Sequence, residues 1–251
     1  MNCEKLASLL PDTAPQIHYY KTVPSTNLVA KEYAERGEKE GIFIAETQTA
    51  GRGRMGRGFY SPAGCGLYIS FLLHPDIPAE NVYLLTTTAA VAVCETVELL
   101  SGREASVKWV NDVLVADKKI CGILAEGSFD ENGKLSYAVV GIGINLFPPE
   151  GGFPEEIASK AGAVFTSKKD CLEELTADLI ERYLRLLNED CYDRYVMRSI
   201  IRGRTIFLMR DGHKKEAVVL GLDDKCRLLV RYKDGAQELI ECGEVSVDGL
   251  Y

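Results

Sequence analysis

ETQTAGRGRMGRGFYSPAGCGLYISFLL, residues 46–73, is a cationic, glycine-rich loop set between two strand-like runs. Glycines stand at 51, 53, 56, 58, 64 and 66 and arginines at 52, 54 and 57, while no acidic residue occurs between Glu46 and Asp76. The chain of 251 residues has a formal net charge of −8, so cations gathered among glycines mark an anion site. Glycine lets the backbone reach positive φ and come close to a ligand. Successive free N–H groups then form a concavity for phosphate or carboxylate oxygens, and arginine adds planar, permanently charged donors. Other readings meet obstacles. A disordered RGG-type arm that binds nucleic acid is not clamped between runs such as GIFIAET (41–47) and LYISFLL (67–73). Gly51, Gly53 and Gly56 satisfy a dinucleotide fingerprint, but that motif opens a helix, which Gly58-Phe59-Tyr60-Ser61-Pro62 cannot continue. No Gly-Lys-Ser/Thr follows, which excludes a P-loop.

Composition narrows the class. Hydrophobic content of 46% and charged content of 26% are those of a soluble globular protein. The length allows one substantial core and a small appended unit. An isoelectric point near 5.1 argues against nucleic acid as the main partner. Cysteines at 3, 65, 94, 121, 171, 191, 226 and 242 form no C-x-x-C pair, and are read as small hydrophobes of a reducing cytosol. The first twenty residues lack a signal-peptide pattern, and no apolar run approaches the ~20 residues of a bilayer span. A cytoplasmic protein with no membrane partner is expected.

Outward from the loop, residues 1–16 form a short leader and 17–20 a strand. Ser25-Thr26-Asn27 precede LVAKEYAERG, a helical pattern ending at Gly37. All three are preferred N-caps; one cap needs only one of them, which leaves two polar side chains for a ligand. A long helix is expected over 78–102, with Val82, Leu85, Ala89, Ala92 and Val93 on one face. VKWVNDVLV (107–115) reads as strand, Asn111-Asp112 corner, strand, and contains the chain's one tryptophan, Trp109, beside Lys108. Lys119 opens the strand KICGILAE, Asp130 to Gly133 make a hairpin turn, and the strand over 135–146 contains Gly141 and Gly143. Alternating glycines inside a strand mean that something approaches the backbone closely. Residues 147–166 are rich in Pro and Gly with a short helix at 154–161. Helices are expected over 168–188, with Ser167 and Asp170 as a capping pair, and over 192–201. Five short strands then follow, separated by Asp211-Gly212, Asp223-Asp224 and Asp234-Gly235, which describe a small barrel.

Taken together, these blocks resemble the biotin–protein ligases. Gln48 to Arg57 resembles that family's biotin-and-adenylate loop, and Lys108-Trp109-Val110-Asn111-Asp112 its KWPND block. Lys119 to Leu124 resembles the strand bearing its active lysine, Gly141 to Asn145 its GIGxN strand, and Ser25-Thr26-Asn27 a further binding element. The resemblance implies an α+β fold: a class II synthetase-like catalytic domain of mixed sheet and helices over 1–200, and an SH3-like C-terminal domain over 201–251. It also implies the reaction, in which biotin and ATP give biotinyl-5′-AMP and a carrier-protein lysine then accepts the biotin. Lys119 and Arg54 are implied as catalytic. Biotin would be bound by Ser25, Thr26, Asn27, Gln48, Arg52, Gly53, Arg54, Lys119, Gly122 and Gly141. ATP would be bound by Arg54, Arg57, Phe59, Lys108, Trp109, Asn111, Asp112 and Asn145, with Mg²⁺ on Asp112. The implied partner is a biotin carboxyl carrier protein; family members often dimerise through sheet edges, so both a monomer and a homodimer are open. DNA is not expected as a partner, since the leader is too short for the DNA-binding domain of the repressor-type members. Val110, Met55 and Phe59 depart from the family's usual Pro, Arg and Trp. A lipoate or octanoyl transferase, sharing the fold, lacks a GRGRxGR loop of this kind, and a non-catalytic sensor would not need the phosphate-activating set.

Overall fold

The computed structural model describes residues 1–78, 81–210, 213–241, 243 and 245–247. Its first seven strands form one mixed sheet: β1 (Ile17–Val23), β2 (Gly41–Gln48), β3 (Gly66–Leu73), β4 (Ser106–Lys108), β5 (Asp112–Val115), β6 (Lys118–Phe129) and β7 (Leu135–Asn145). Their spatial order is β1-β2-β3-β7-β6-β5-β4; only β1 and β2 run parallel. Side chains alternate between the faces of a strand, and here the two faces have different fates. Ile42, Ile44, Leu67, Ile69, Phe71, Ile123, Val140, Ile142 and Ile144 point into the main core. That core is closed by α1 (Cys3–Ser8), α3 (Tyr83–Ser101), α5 (Leu172–Leu186) and α6 (Tyr192–Arg198). On the opposite face, α2 (Thr26–Glu35) covers Phe43, Leu72 and Val139, with Tyr20 and Tyr137 partly buried beside them. Further along this face stand the buried Tyr68 and the half-buried Leu124, and among them Ser70, Gly122, Gly141, Gly143 and Asn145, which are small or polar.

Several helix limits differ from the sequence expectation. α2 starts at Thr26, so two of the three cap candidates lie inside the helix, and Ser25 makes no side-chain capping bond. α3 starts at Tyr83 instead of 78 and ends at Gly102, whose φ of 68° is the left-handed C-cap that favours glycine. By length and composition α3 could cross a bilayer, contrary to the expectation that no run comes near that length. Eleven of its residues are buried, as the central helix of the core. The Ser167–Asp170 capping pair does not form: α5 begins at Leu172. Its first turn is fixed instead by the leader, where the Asn2 N–H donates to Glu173 Oε1 at 2.7 Å. α6 ends at Arg198.

The last five strands, β8 (Thr205–Arg210), β9 (His213–Leu222), β10 (Leu228–Tyr232), β11 (Gln237–Ile240) and β12 (Val245–Val247), make the SH3-like unit, an antiparallel sheet in the order β11-β10-β9-β8-β12. The turn expected at Asp211-Gly212 lies outside the described residues. This sheet has its own core, and two residues of the first sheet's corner enter it: Trp109, 5% exposed, and Leu114. The Trp109 indole N–H donates to the Cys226 carbonyl at 2.7 Å, and Tyr195 Oη donates to the Val110 carbonyl at 3.1 Å. The corner that carries Asn111 and Asp112 is thus packed against both sheets. Of the cysteines, 94, 121, 171, 191 and 226 are buried and Cys3 and Cys65 are not; all seven are free thiols. Cys242 lies outside the described residues. Truncating a buried tryptophan costs about 3–5 kcal/mol. Trp109→Ala should lower the unfolding free energy by that amount in urea titrations followed by circular dichroism. A loss below about 1 kcal/mol would show that the indole is not a core residue.

Candidate active site

The glycine-rich segment folds back on itself. Gly53 N–H donates to Arg57 O at 2.7 Å and Phe59 N–H to Gly51 O at 2.8 Å, and Arg52 pairs with Gly58 as an antiparallel bridge. The turn of this small hairpin is Met55-Gly56, with φ of 56° and 73°. Gly51 has no room for a Cβ, because Phe59 O and Ser61 Oγ lie against it. The loop's shape is therefore set by its own ladder and by glycine at the points of contact.

Beneath the loop, a cavity of about 920 Å³ lies against β6 and β7. Ser25, Thr26, Asn27, Gln48, Arg52, Gly53, Arg54, Arg57, Phe59, Lys108, Trp109, Asn111, Asp112, Lys119, Gly122, Gly141 and Asn145 all line it. These are all the site residues named from the sequence. Among its lining side chains, six are cationic (Arg52, Arg54, Arg57, Lys108, Lys119 and Lys160) and two acidic (Asp112 and Glu156), a local net charge of +4 in a chain of −8. Low-dielectric walls focus such a field on anionic ligands.

The side chains are already held by one another. Gln48 Oε1 accepts from the Thr26 N–H at 2.9 Å and the Thr26 hydroxyl at 3.2 Å, and its Nε2 donates to Ser61 Oγ at 2.9 Å. Ser70 Oγ lies 2.7 Å from Thr26 Oγ1 and 2.6 Å from Asn27 Oδ1. Asn27 Nδ2 donates to the Leu124 carbonyl and to Glu126 Oε2. Asn27 is consequently occupied within the protein, contrary to the expectation that two of the three polar side chains at 25–27 stay free. The strand glycines are approached from inside the chain. Asn27 lies against Gly141 and the Phe59 ring against Gly143, while at Gly122 a Cβ would meet Phe59 at 3.2 Å and Lys119 Nζ at 3.3 Å.

The cations have definite anchors. Lys119 Nζ is 2.6 Å from Asp112 Oδ1. Arg54 donates to Asn111 Oδ1 at 3.1 Å and to the Gly243 carbonyl at 3.2 Å, tying the loop to the C-terminal sheet. Arg52 is 3.3 Å from Glu126 Oε1, which Lys31 Nζ also reaches at 2.6 Å. Burial pushes the Glu126 carboxyl up, but hydrogen bonds from Lys31 and Asn27 and the charges of Lys31 and Arg52 outweigh it and hold the carboxyl below its ordinary value. Asn145 Nδ2 donates to the Gly162 carbonyl at 3.1 Å. Among the described residues no group of three or more His, Cys, Asp and Glu could hold a metal ion, and Asp112, the expected Mg²⁺ ligand, is paired with Lys119. That donor set fits an ion carried chiefly by phosphate oxygens, with Asp112 as one protein ligand.

Two walls were not read from the sequence. One is residues 153–161, with Phe153, Pro154, Ile157 and Lys160; the other is Gly243, Val245 and Ser246 at the start of β12. Prolines and glycines at 148–154 signal a loop there, but nothing in the pattern brings either segment to β6.

The sequence pattern of the Biotin/lipoate A/B protein ligase family matches residues 19–145, and that of the Biotin protein ligase C terminal domain matches 203–248. A bifunctional ligase/repressor BirA of Bacillus subtilis is 40% identical over 234 residues, 88% of this chain and 71% of the relative. A biotin–[acetyl-CoA-carboxylase] ligase of Paracoccus denitrificans is 30% identical over 90% of this chain and 98% of its own. Among solved structures, the biotin protein ligase of Aquifex aeolicus in complex with biotin and ATP superposes with a TM-score of 0.78 at 29% identity, covering 92% of this chain and 98% of the other.

Glu126→Gln keeps an acceptor for Asn27 and loses the charge that holds Lys31 and Arg52. Charged hydrogen bonds of this kind contribute about 1.5–3 kcal/mol, so the variant should be less stable by that order at neutral pH. Because the folded-state pKa is depressed, the ionised carboxylate contributes fully above its ordinary value of 4.5, and the contribution is lost as pH falls through the folded value. The wild type's margin over Glu126→Gln in thermal unfolding should shrink below that pH. A margin constant down to about pH 3 would contradict the assignment.

Proposed function

The chain belongs to the biotin/lipoate protein ligase family, as a biotin–protein ligase, and we propose a division of labour for the cavity residues in the ATP-dependent biotinylation that it carries out. The observation that carries the proposal is Lys119 Nζ at the Asp112 carboxylate inside a cavity of net charge +4. In the first step the biotin carboxylate attacks the α-phosphorus of ATP and pyrophosphate leaves, giving biotinyl-5′-AMP. In the second, the acceptor's lysine amine attacks the mixed anhydride and AMP leaves. The barrier to the first step is the approach of two anions. Lys119 and Arg54, with Arg52 and Arg57, offset that repulsion and hold the reacting groups in line.

Ser25, Thr26 and Gln48 present donors and acceptors to the polar ring of biotin, which would otherwise be buried unpaired. Gly53 brings loop backbone close, and Asn27, Gly122 and Gly141 shape the floor. Phe59, Lys108, Asn111 and Asp112 face the nucleotide. Trp109 and Asn145 act there through the second sheet and the 153–161 wall that they hold. Magnesium bound with ATP would screen the phosphate charge, with Asp112 as its protein ligand. The loop hairpin over the site keeps water from the anhydride.

The acceptor we propose is the biotin carboxyl carrier protein of an acetyl-CoA carboxylase, in keeping with the name of the Paracoccus denitrificans relative. Free thiols at the seven described cysteines suit a reducing cytoplasm. β1 has a sheet neighbour on one side only, and this edge would pair with a second copy in a homodimer. The net charge of −8 disfavours DNA as a partner.

ATP–pyrophosphate exchange tests the central reading. Exchange should require biotin and should not accept lipoate in its place; equal exchange without biotin would refute the adenylation step. Lys119→Ala should lower exchange at least tenfold, since losing a charged contact to an anion costs about 1.5–3 kcal/mol. Normal turnover would remove Lys119 from the mechanism. Sedimentation velocity with biotin and ATP, with and without biotin-operon DNA, checks the partners. One boundary at dimer mass, unchanged by DNA, is expected; a DNA-dependent shift or a monomer would overturn the respective assignment.

A further inference from the structure

Lys119 is held by the sheet on one side only, where it pairs with Leu114 of β5. The β6–β7 ladder begins at Cys121, paired with Ile144, two residues further along. On the other side the β5–β6 register shifts between Val113 and Leu114, the residues that pair with Cys121 and Lys119. A lysine with no strand on its other side would leave the peptide groups that face that way to water. Instead the segment after the short helix α4 (Glu155–Ala158) comes alongside. Lys119 N–H donates to the Lys160 carbonyl at 2.8 Å, and Gly162 N–H donates to the Lys119 carbonyl at 2.8 Å, a one-residue parallel bridge centred on Ala161. The segment is tied in turn to the end of β7: Asn145 Nδ2 donates to Gly162 O at 3.1 Å, and Val164 N–H to Asn145 O at 2.9 Å.

The fit at Gly162 is tight. Its φ lies outside the left-handed range, so glycine is not needed there for conformation. It is needed for space: a Cβ would stand 2.5 Å from Lys118 Cβ. A methyl group at 162 has to push away either the 160–162 segment, breaking both hydrogen bonds to Lys119, or the start of β6 itself. Both movements shift the origin of the Lys119 side chain, whose Nζ is otherwise placed 2.6 Å from Asp112.

We propose that Gly162, with the backbone of residues 160–162, is the positioning element of Lys119: it clamps that residue's peptide groups and so aims its ammonium at the reacting carboxylate and phosphate. The proposal rests on the reading that Lys119 acts in adenylation. Gly162 touches no substrate in this account; it works through Lys119.

The experiment is biotin-dependent ATP–pyrophosphate exchange by wild type, Gly162→Ala, Lys118→Gly, the Gly162→Ala/Lys118→Gly double variant and Lys119→Ala. Misplacement of a reacting group by about an ångström lowers rates by roughly ten- to a hundredfold. Gly162→Ala should show a fall of that size in kcat while the KM for biotin stays within about twofold, because the rest of the biotin-facing wall is untouched. Lys118→Gly removes the atom that the new methyl meets, so the double variant should recover to within about threefold of Lys118→Gly alone, the non-additivity of a direct contact. A general loosening of the fold would not be repaired by a second, strand-weakening glycine. Full kcat in Gly162→Ala, or a double variant as slow as the single, overturns the proposal. If Gly162→Ala does not fold, the double variant decides: activity near that of Lys118→Gly supports the clamp, and a folded but slow enzyme refutes it. Lys119→Ala separates the two readings. If it exchanges normally, the Lys119 assignment fails; if it is inactive while Gly162→Ala is normal, only the clamp fails.

Discussion

Two-residue alternation along β3, β6 and β7 is the constraint on which the molecule depends. One set of positions, Ile69, Phe71, Ile123, Val140, Ile142 and Ile144, builds the core under α3. The interleaved set includes Gly122, Gly141, Gly143 and Asn145, which line the site, and Ser70, which holds Thr26 and Asn27. A slip of one residue in any of these strands would exchange the sets, placing isoleucines in the cavity and glycines in the core. The register that stabilises the protein is therefore the register that forms its active site. Each glycine on the floor also admits a particular neighbour, Asn27 over Gly141 and Phe59 over Gly143, so the elements above the sheet are keyed to its backbone.

The second sheet is joined to this arrangement at the same corner that carries chemistry. Trp109 and Leu114 sit in its core, and the residues between them in sequence include Asn111 and Asp112. Asn111 Nδ2 donates to the Ile123 carbonyl at 2.8 Å, and its Oδ1 takes Arg54 from the loop, while Arg54 also reaches the Gly243 carbonyl. Loop, corner and C-terminal sheet thus meet through one guanidinium. Its planar fork makes both contacts at once, through two separate nitrogens.

Much of this was legible in the sequence because it is local. The loop between two strand runs, the Asn111-Asp112 corner, the hairpin at 130–133 and the change to short strands after 203 are carried by contiguous residues, and each has its counterpart in the structure. What the sequence could not yield depends on contacts between distant segments. The first turn of α5 is tied to the leader by Glu173 accepting from the Asn2 N–H, 171 positions away, and Ser167 and Asp170 lie before the helix. Trp109 lines the cavity, but its packing into the second sheet and its indole bond to a carbonyl 117 positions on have no local signal in the sequence. Asn27 reads as a spare polar group and is taken up by Ser70 and Glu126. The 153–161 wall carries no motif at all, since its approach to Lys119 uses backbone atoms that every residue possesses.

The cavity's cations also explain how an acidic protein keeps such a site without a ligand. Two like charges about 4 Å apart at a protein surface repel by about 4 kcal/mol, so an uncompensated cluster would drive the loop away from the sheet. Lys119 instead rests on Asp112, and Arg52 on Glu126. These partners are carboxylates, chemically alike to the anions of the reaction. A substrate bringing a carboxylate or a phosphate would compete with them for the same cations, whereas a neutral ligand would leave the internal pairs intact and gain no such contact.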